Sequence, residues 1–211
     1  MHSNNDLKMN QIAYPMNIST YHRFKKNEIP VFGYMGGFDI KKFGIDLILH
    51  AFADYKHKYL ETGSLWLIGD GKDKNNIIEL SIQLSIDQYV QIKPMPFGNQ
   101  KFDLLHQIDL FLRPSRSEYF PTAVLEAAAV SVPSIVAADS ILSESINTYN
   151  AGFIMQEYCH KHLVKFMLAT LKDIKYNDWS IKKRNAQRMA NERFHWNKIP
   201  KTHFSYSAST I

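Results

Sequence analysis

Cysteine is almost absent from this 211-residue chain. The single one, Cys159, excludes an internal disulfide framework and makes a cysteine-based zinc site implausible, which suits a reducing compartment. No apolar run reaches the roughly 18 residues that a transmembrane helix needs. The polar beginning, MHSNNDLKMNQ, lacks the apolar core of a signal peptide. We therefore expect a cytoplasmic protein.

Several catalytic signatures are also missing. The segment GDGKDK lacks the spacing of a phosphate-binding P-loop, and there is no G-x-S-x-G elbow of the kind that serine hydrolases carry. His57, His160 and His162 have no carboxylate or cysteine companions at zinc spacing. The sequence therefore predicts neither a metal site nor a hydrolase.

The charge is moderately basic, with 25 Lys and Arg against 20 Asp and Glu. The densest cluster is IKKRNAQRMANER, near the C-terminus. No base-stacking or major-groove motif accompanies it, so a solvated helix face is favoured and a nucleic-acid partner is not predicted. Docking of this segment, which Trp179 and Trp196 flank, on the inner-membrane surface or on a partner domain stays open.

Short apolar segments alternate with segments of helical spacing. The strand candidates are VFGYMGG, SLWLIGD, YVQIKP, IDLFLRPS, PSIVAA and AGFIM. Strict alternation of strands and helices predicts an α/β fold, a Rossmann-like doubly wound parallel sheet. We expect a leader or linker over 1–30, the Rossmann-like domain over 31–157, and an appendage of C-terminal helices over 158–211.

The segment SRSEYFPTAVLEAAAVSVP carries two acids eight positions apart, Glu118 and Glu126. Pro121 is suited to be the first helical residue, and the amides that follow it would form an anion site at a helix N-terminus. Glu118 could then bind sugar hydroxyls and Glu126 a ribose diol. The alternative is that Glu118 caps the helix and Glu126 is an exposed or salt-bridged helix residue.

This segment resembles the E-x7-E region of retaining GT-B glycosyltransferases, which build bacterial polysaccharides and glycolipids from nucleotide sugars. GGFDIKKFGIDLILHAF, LWLIGDG, AGFIM and RFHWNKI resemble further segments of the same family in the same order, over most of residues 31–197. The resemblance covers only the C-terminal, donor-binding half of such an enzyme, so it implies one half of a GT-B fold.

The resemblance also implies roles for individual residues. Glu118 would contact the transferred sugar as the catalytic residue, and Glu126 would bind the ribose. Lys93 and Pro94 would border the nucleobase. The residues expected near the sugar and diphosphate are Gly36, Gly37, Tyr119, Phe120, Pro121 and Thr122.

The chain departs from the family where two cations normally hold the diphosphate. The family has an Arg after the first glycine of the turn and a Lys before the glycine that opens the helix, and here these positions are Gly37 and Phe43. Loss of one such donor typically costs about a hundred- to a thousand-fold in rate. Lys41 and Lys42 could substitute. Arg116 is either a further phosphate ligand or a surface residue.

Two functional hypotheses follow from the resemblance. The first is the donor-binding half of a retaining glycosyltransferase, which transfers a sugar from a UDP- or GDP-sugar to a saccharide or lipid-linked saccharide in surface polysaccharide or lipopolysaccharide synthesis. It needs an acceptor-binding N-terminal domain or subunit. Because there is no D-x-D pair, it would be metal-independent and need no cofactor. The alternative is a non-catalytic binding or partner module that has lost the cation pair.

Overall fold

Six parallel strands form a single sheet in the computed structural model, which describes residues 29–118, 120–176 and 178–194. Their order across the sheet is β3-β2-β1-β4-β5-β6, so the direction of winding reverses between β1 and β4. The strands are β1 Val31–Met35, β2 Ser64–Ile68, β3 Val90–Lys93, β4 Leu110–Arg113, β5 Ser134–Ala137 and β6 Gly152–Met155. This is the doubly wound topology in which ligands bind at the carboxyl ends of the strands.

Helices follow the strands in alternation. They are α1 Ile40–Phe43, α2 Ile45–His57, α3 Lys74–Gln83, α4 Gln100–His106, α5 Thr122–Ala129, α6 Ser143–Tyr149, α7 His160–Lys175 and α8 Trp179–Arg193. A 3-10 turn, Asp87–Tyr89, precedes β3. The predicted α/β fold class is therefore confirmed. The prediction of a leader or linker over 1–30 lies almost entirely outside the described residues.

The central strands β1, β4 and β5 are buried on both faces, as expected for apolar strands of a parallel sheet. Along β1, Phe32 and Tyr34 enter the core that includes α2, α3 and α7. Val31 and Met35 enter the opposite core, formed with α4, α5, α6 and α8. This alternation follows from the two-residue period of a strand. None of the helices in the described residues is long and apolar enough to cross a bilayer.

The two C-terminal helices pack on opposite faces of the sheet, α7 against α2 and α8 against α5 and α6. A buried ion pair fixes α8, because Lys183 Nζ lies 3.4 Å from Asp109 Oδ1. The other oxygen of Asp109 accepts a hydrogen bond from Val31 N at 3.0 Å. Trp179 Nε1 donates to the carbonyl oxygen of Asp109 at 3.2 Å. The start of α8 is thus fastened to the residue that precedes β4.

The helix after β4 begins one residue later than predicted. Pro121 is the N-cap of α5, with φ −82° and ψ 76°, and Thr122 is the first helical residue. The Pro121 carbonyl already accepts a hydrogen bond from Val124 N at 3.0 Å, so the proline closes the first turn although its own ψ is not helical. Ala127, Ala128 and Ala129 are buried, which lets α5 lie close to the sheet.

Candidate functional site

The turn after β1 is built from glycines that approach other parts of the chain closely. Gly36 N donates to Ile68 O at 3.0 Å, and Gly36 has a φ of +154°. A Cβ on Gly36 would lie 2.6 Å from Arg113 Nη1. A Cβ on Gly69, the residue after β2, would lie 1.9 Å from Gly36 O. Only glycine therefore fits at these two positions, and the turn lies directly against the end of β4.

Arg113, the last residue of β4, lies beneath this turn with only 6% of its surface exposed. Its Nε donates to Glu118 Oε2 at 2.8 Å, and its Nη2 donates to Glu118 Oε1. Its Nη1 donates to Met35 O at 3.1 Å. The guanidinium carbon is 4.4 Å from the ring centre of Phe43 and 5.1 Å from that of Tyr34. The cation is therefore enclosed by aromatic faces and paired with the predicted catalytic acid.

Burial and charge shift the pKa values in this cage. Burial alone would lower the pKa of Arg113, but the hydrogen bonds and charges of Glu118 and Tyr34 together outweigh burial and raise this pKa above its ordinary value. Burial raises the pKa of Tyr34 to about 12, although the Arg113 charge opposes this shift. The Tyr34 hydroxyl is consequently neutral at physiological pH and donates to Gly37 O at 2.6 Å.

A cavity of about 370 Å³ opens beside this ion pair, beyond the ends of β4 and β5. It is lined by Arg113, Ser115, Arg116, Ser117, Glu118, Asp139 and Ser140. Ser115 Oγ donates to Glu118 Oε2 at 3.0 Å. Tyr158 adds a hydroxyl at the same edge, where it donates to Asp139 Oδ1 at 2.7 Å. The lining combines cations, carboxylates and hydroxyls, which suits a polar, hydroxyl-rich ligand.

The cations predicted as substitutes lie on the surface beside the cage. Lys41 and Lys42 are exposed, and Lys42 Nζ is 5.1 Å from the Phe43 ring centre. Arg116 forms a bidentate pair with Asp46, with N–O distances of 2.8 and 2.7 Å. Its Nη1 also donates to Lys41 O at 3.2 Å. Arg116 thus ties the loop after β4 to α1 and α2 while it lines the cavity.

Glu118 and Glu126 lie in different surroundings. Glu118 does not cap α5, because both of its oxygens accept from Arg113 and one also accepts from Ser115. Glu126 is 6% exposed and accepts from Lys101 Nζ of α4 at 2.6 Å. Each acid therefore forms an ion pair with a basic residue of the same chain. The structure brings Glu118, but not Glu126, into the lining of the cavity.

The remaining predicted residues surround this edge of the sheet. Pro121 is buried, and Phe120 packs against the core beside α5. Lys93 ends β3 with its Nζ 4.2 Å from the Trp66 ring centre, and its carbonyl oxygen accepts from Gly69 N at 2.9 Å. Pro94 is exposed. Tyr119 lies outside the described residues.

Arg113 is the residue of this site that the sequence reasoning missed. The sequence contained a signal for it, because a single Arg ends the otherwise apolar strand LFLR. A charge at the end of a buried strand is unusual unless it is paired.

In the described part of the chain, no group of three or more His, Cys, Asp or Glu side chains is arranged to hold a metal ion.

Comparison with protein families identifies the family of this chain. The family described as "Glycosyl transferases group 1" matches residues 21–187. This span is most of the chain, so the protein belongs to that family.

One curated protein and one solved structure show the sequence and fold similarity of this chain to known proteins. An O-antigen biosynthesis glycosyltransferase, WclY of Escherichia coli, is 31% identical over 102 residues, which are 48% of this chain and 27% of WclY. The Alr3699/HepE protein of Anabaena, solved with UDP and glucose, has a similar fold, with a TM-score of 0.68 and 19% sequence identity. The match covers 78% of this chain and 44% of the HepE chain.

A third similar structure is itself a C-terminal domain. It comes from the group 1 glycosyl transferase LpcC of Francisella tularensis. The match covers 89% of this chain and 98% of that domain, with a TM-score of 0.67 and 18% identity. At these identities the two structures establish the shared fold. The present chain spans about a quarter of the length of the curated relative WclY.

Proposed function

We propose that this chain is the donor-binding half of a retaining glycosyltransferase that uses a nucleoside-diphosphate sugar. The observation that carries the proposal is the position of Glu118, whose carboxylate is held by Arg113 at the carboxyl edge of the sheet, where the winding reverses. This edge is the binding position of open α/β sheets. The UDP and glucose in the Anabaena structure support a nucleotide-sugar ligand for the shared fold.

In this proposal the donor lies across the ends of β1 and β4. The diphosphate would lie between the Gly36–Gly37 turn and the N-terminus of α5, whose positive dipole end favours an anion. Glu118 would accept hydrogen bonds from the transferred sugar. Thr122, the first helical residue, would border the donor here, and its own amide already donates to Phe120 O at 3.0 Å.

The ribose would bind Glu126, and the base would lie beside Lys93 and Pro94. Glu126 already accepts from Lys101, but a carboxylate has room for further donors and can accept from a ribose hydroxyl without losing that partner. In this arrangement Lys101 fixes the orientation of the Glu126 carboxylate. Trp66 supports the side chain of Lys93.

The chemistry would rest on position and charge. A donor held at this edge presents its anomeric carbon to an acceptor hydroxyl, and no protein nucleophile is needed when the two reactants are aligned. Retention of configuration follows from the E-x7-E resemblance. The resemblance also implies that the reaction is metal-independent.

The acceptor would bind a second domain or subunit that closes the cleft. We propose a saccharide or lipid-linked saccharide acceptor and a role in surface polysaccharide synthesis, which the O-antigen relative supports. We also propose that the protein is cytoplasmic and works at the inner face of the membrane, because a lipid-linked acceptor is presented there.

The test is isothermal titration of the full chain with UDP-glucose and GDP-mannose. We expect measurable binding of one of them at concentrations up to the millimolar range, and a loss of at least about tenfold in the Glu118→Gln variant, because a hydrogen bond to a charged acceptor is lost. Glu192→Gln on α8 is the matched control and should bind as the parent does. Absence of binding at millimolar donor would contradict the proposal.

A non-catalytic partner module is the second candidate. It is favoured by the ion pairs of both acids and by the neutral residues Gly37 and Phe43. This candidate predicts that the parent fails to bind donor and that Gly37→Arg with Phe43→Lys creates binding. A parent that binds donor through Glu118 excludes it.

A further inference from the structure

We propose that Arg113 is the cation of the diphosphate site and replaces the pair missing at Gly37 and Phe43. The inference rests on the proposed function, because it assumes a diphosphate at this edge. It assigns the positive charge of the site to a residue on another strand. The charge comes from the end of β4, beneath the glycine turn, instead of from the turn itself.

The guanidinium lies beside the two positions that lack a cation. On one side its Nη1 is 2.6 Å from where a Gly36 Cβ would lie, directly before Gly37. On the other side its central carbon is 4.4 Å from the Phe43 ring centre. A phosphate that approaches the glycine turn would therefore meet the charge of Arg113.

The residues at the two neutral positions are suited to this cation. The face of Phe43 attracts a guanidinium, and such a contact is worth roughly 0.5–2 kcal/mol. A Lys at position 43 would instead place a second positive charge against a buried one. The carbonyl oxygen of Gly37 accepts a hydrogen bond from Tyr34, whose ring forms the other wall of the cage. The aromatic residue and the glycine are thus parts of the arginine site.

The ion pair with Glu118 also lets Arg113 fix the position of that acid. Both carboxylate oxygens accept from the guanidinium, so the acid that would bind the sugar and the cation that would bind the phosphate are fixed relative to each other. Arginine is suited to this position, because its rigid fork can contact two anions and it stays charged when buried. A lysine on a solvated loop would be screened by water and salt.

The experiment is isothermal titration of the full chain with UDP and with GDP. Arg113→Met should weaken the binding of the preferred nucleotide by about 10- to 100-fold, as expected for the loss of a charged hydrogen bond. Arg113→Met with Phe43→Lys should recover at least about tenfold, because it returns one cation to the same space. Arg188→Met is the matched control, since Arg188 also lies over an aromatic ring, 5.3 Å from that of Tyr149 on the far side of the molecule.

Arg113→Met leaves Glu118 without its main partner, so the single variant could fail to fold. A neutral pair removes this difficulty. Arg113→Met combined with Glu118→Gln keeps the shape and places no unpaired charge in the cage. Compared with the parent, it should still lose about 10- to 100-fold in UDP or GDP affinity, because in this proposal Glu118 contacts the sugar, which these nucleotides lack.

The outcomes separate the inference from the proposed function. If the parent binds UDP or GDP and loss of Arg113 changes nothing in either background, the inference is overturned and the donor site stands. If neither nucleotide binds the parent at millimolar concentration, both are overturned. If Gly37→Arg with Phe43→Lys strengthens binding while Arg113 is present, Arg113 does not fill the place of the missing pair.

Discussion

Arg113 connects three features of the sheet edge through one side chain. It fixes the carboxylate of Glu118, supports the glycine turn through Met35 O and occupies the aromatic cage of Tyr34 and Phe43. Buried charges persist only when they are paired and hydrogen-bonded. A substitution at any of these positions should therefore disturb the others.

Tyr34 gives this cage a measurable pH dependence. Its pKa in the folded protein is raised to about 12, so the folded state keeps the phenol proton more tightly than the unfolded state does. The resulting stability is complete below pH 10 and is lost as the pH rises from 10 toward 12. Between pH 8 and pH 11 the parent should therefore lose about 1 kcal/mol more of its free energy of unfolding than the Tyr34→Phe variant does.

Urea unfolding of both proteins at several pH values would measure this difference. At pH 8 the variant should be less stable by about 1 kcal/mol, because it lacks the hydrogen bond to Gly37 O. A gap between the two proteins that stays the same from pH 8 to pH 11 would show that Tyr34 is not buried in this way.

Sequence reasoning at the residue scale identified the acids but not their partners. The eight-residue spacing of Glu118 and Glu126 was visible, and an ion pair of Glu126 was one of the alternatives considered. The pairs with Arg113 and Lys101 depend on which strand and helix lie side by side. A single sequence does not contain that information at the level of one side chain.

At the scale of elements, α8 is fastened to the sheet at the end opposite the site. Lys183 and Asp109 are both buried, and Asp109 also accepts from Val31 N at the start of β1. Removal of one partner leaves a buried charge uncompensated. The anchoring of the basic helix thus depends on a charge inside the molecule, whereas most of its other cations are at the surface.

Lys183→Met should lower the free energy of unfolding by about 3 kcal/mol. Arg184→Met, which removes an exposed cation from the next position of α8, is the control and should change it by less than about 0.5 kcal/mol. Urea denaturation at pH 7 compares them. Equal effects of the two substitutions would mean that the pair with Asp109 contributes nothing specific.

The elements themselves were largely predictable. The six strands were visible as apolar segments that end in Gly, Pro or polar residues, and α7 and α8 lie in the segment 158–211, where C-terminal helices were expected. Helix ends were less certain, as at Pro121, because a proline is equally compatible with the N-cap and with the first helical position. Its ψ of 76° decides for the N-cap.

At the scale of the whole molecule, the alternation of strands and helices determined the topology. Right-handed crossovers leave few ways to arrange six strands joined by helices, and the observed order is one of them. The same rule predicts the position of the candidate site, since the loops after β1 and β4 lie at the reversal of winding. The chemistry of the site depended on the resemblance, because a fold alone does not define a reaction.

The crystal structure of this chain with a bound UDP- or GDP-sugar would test the central claim most directly. We predict the diphosphate between the Gly36–Gly37 turn and Thr122, within hydrogen-bonding distance of Arg113, with the sugar on Glu118 and the ribose on Glu126. A nucleotide sugar bound at another surface, with the Arg113–Glu118 pair untouched, would contradict the account.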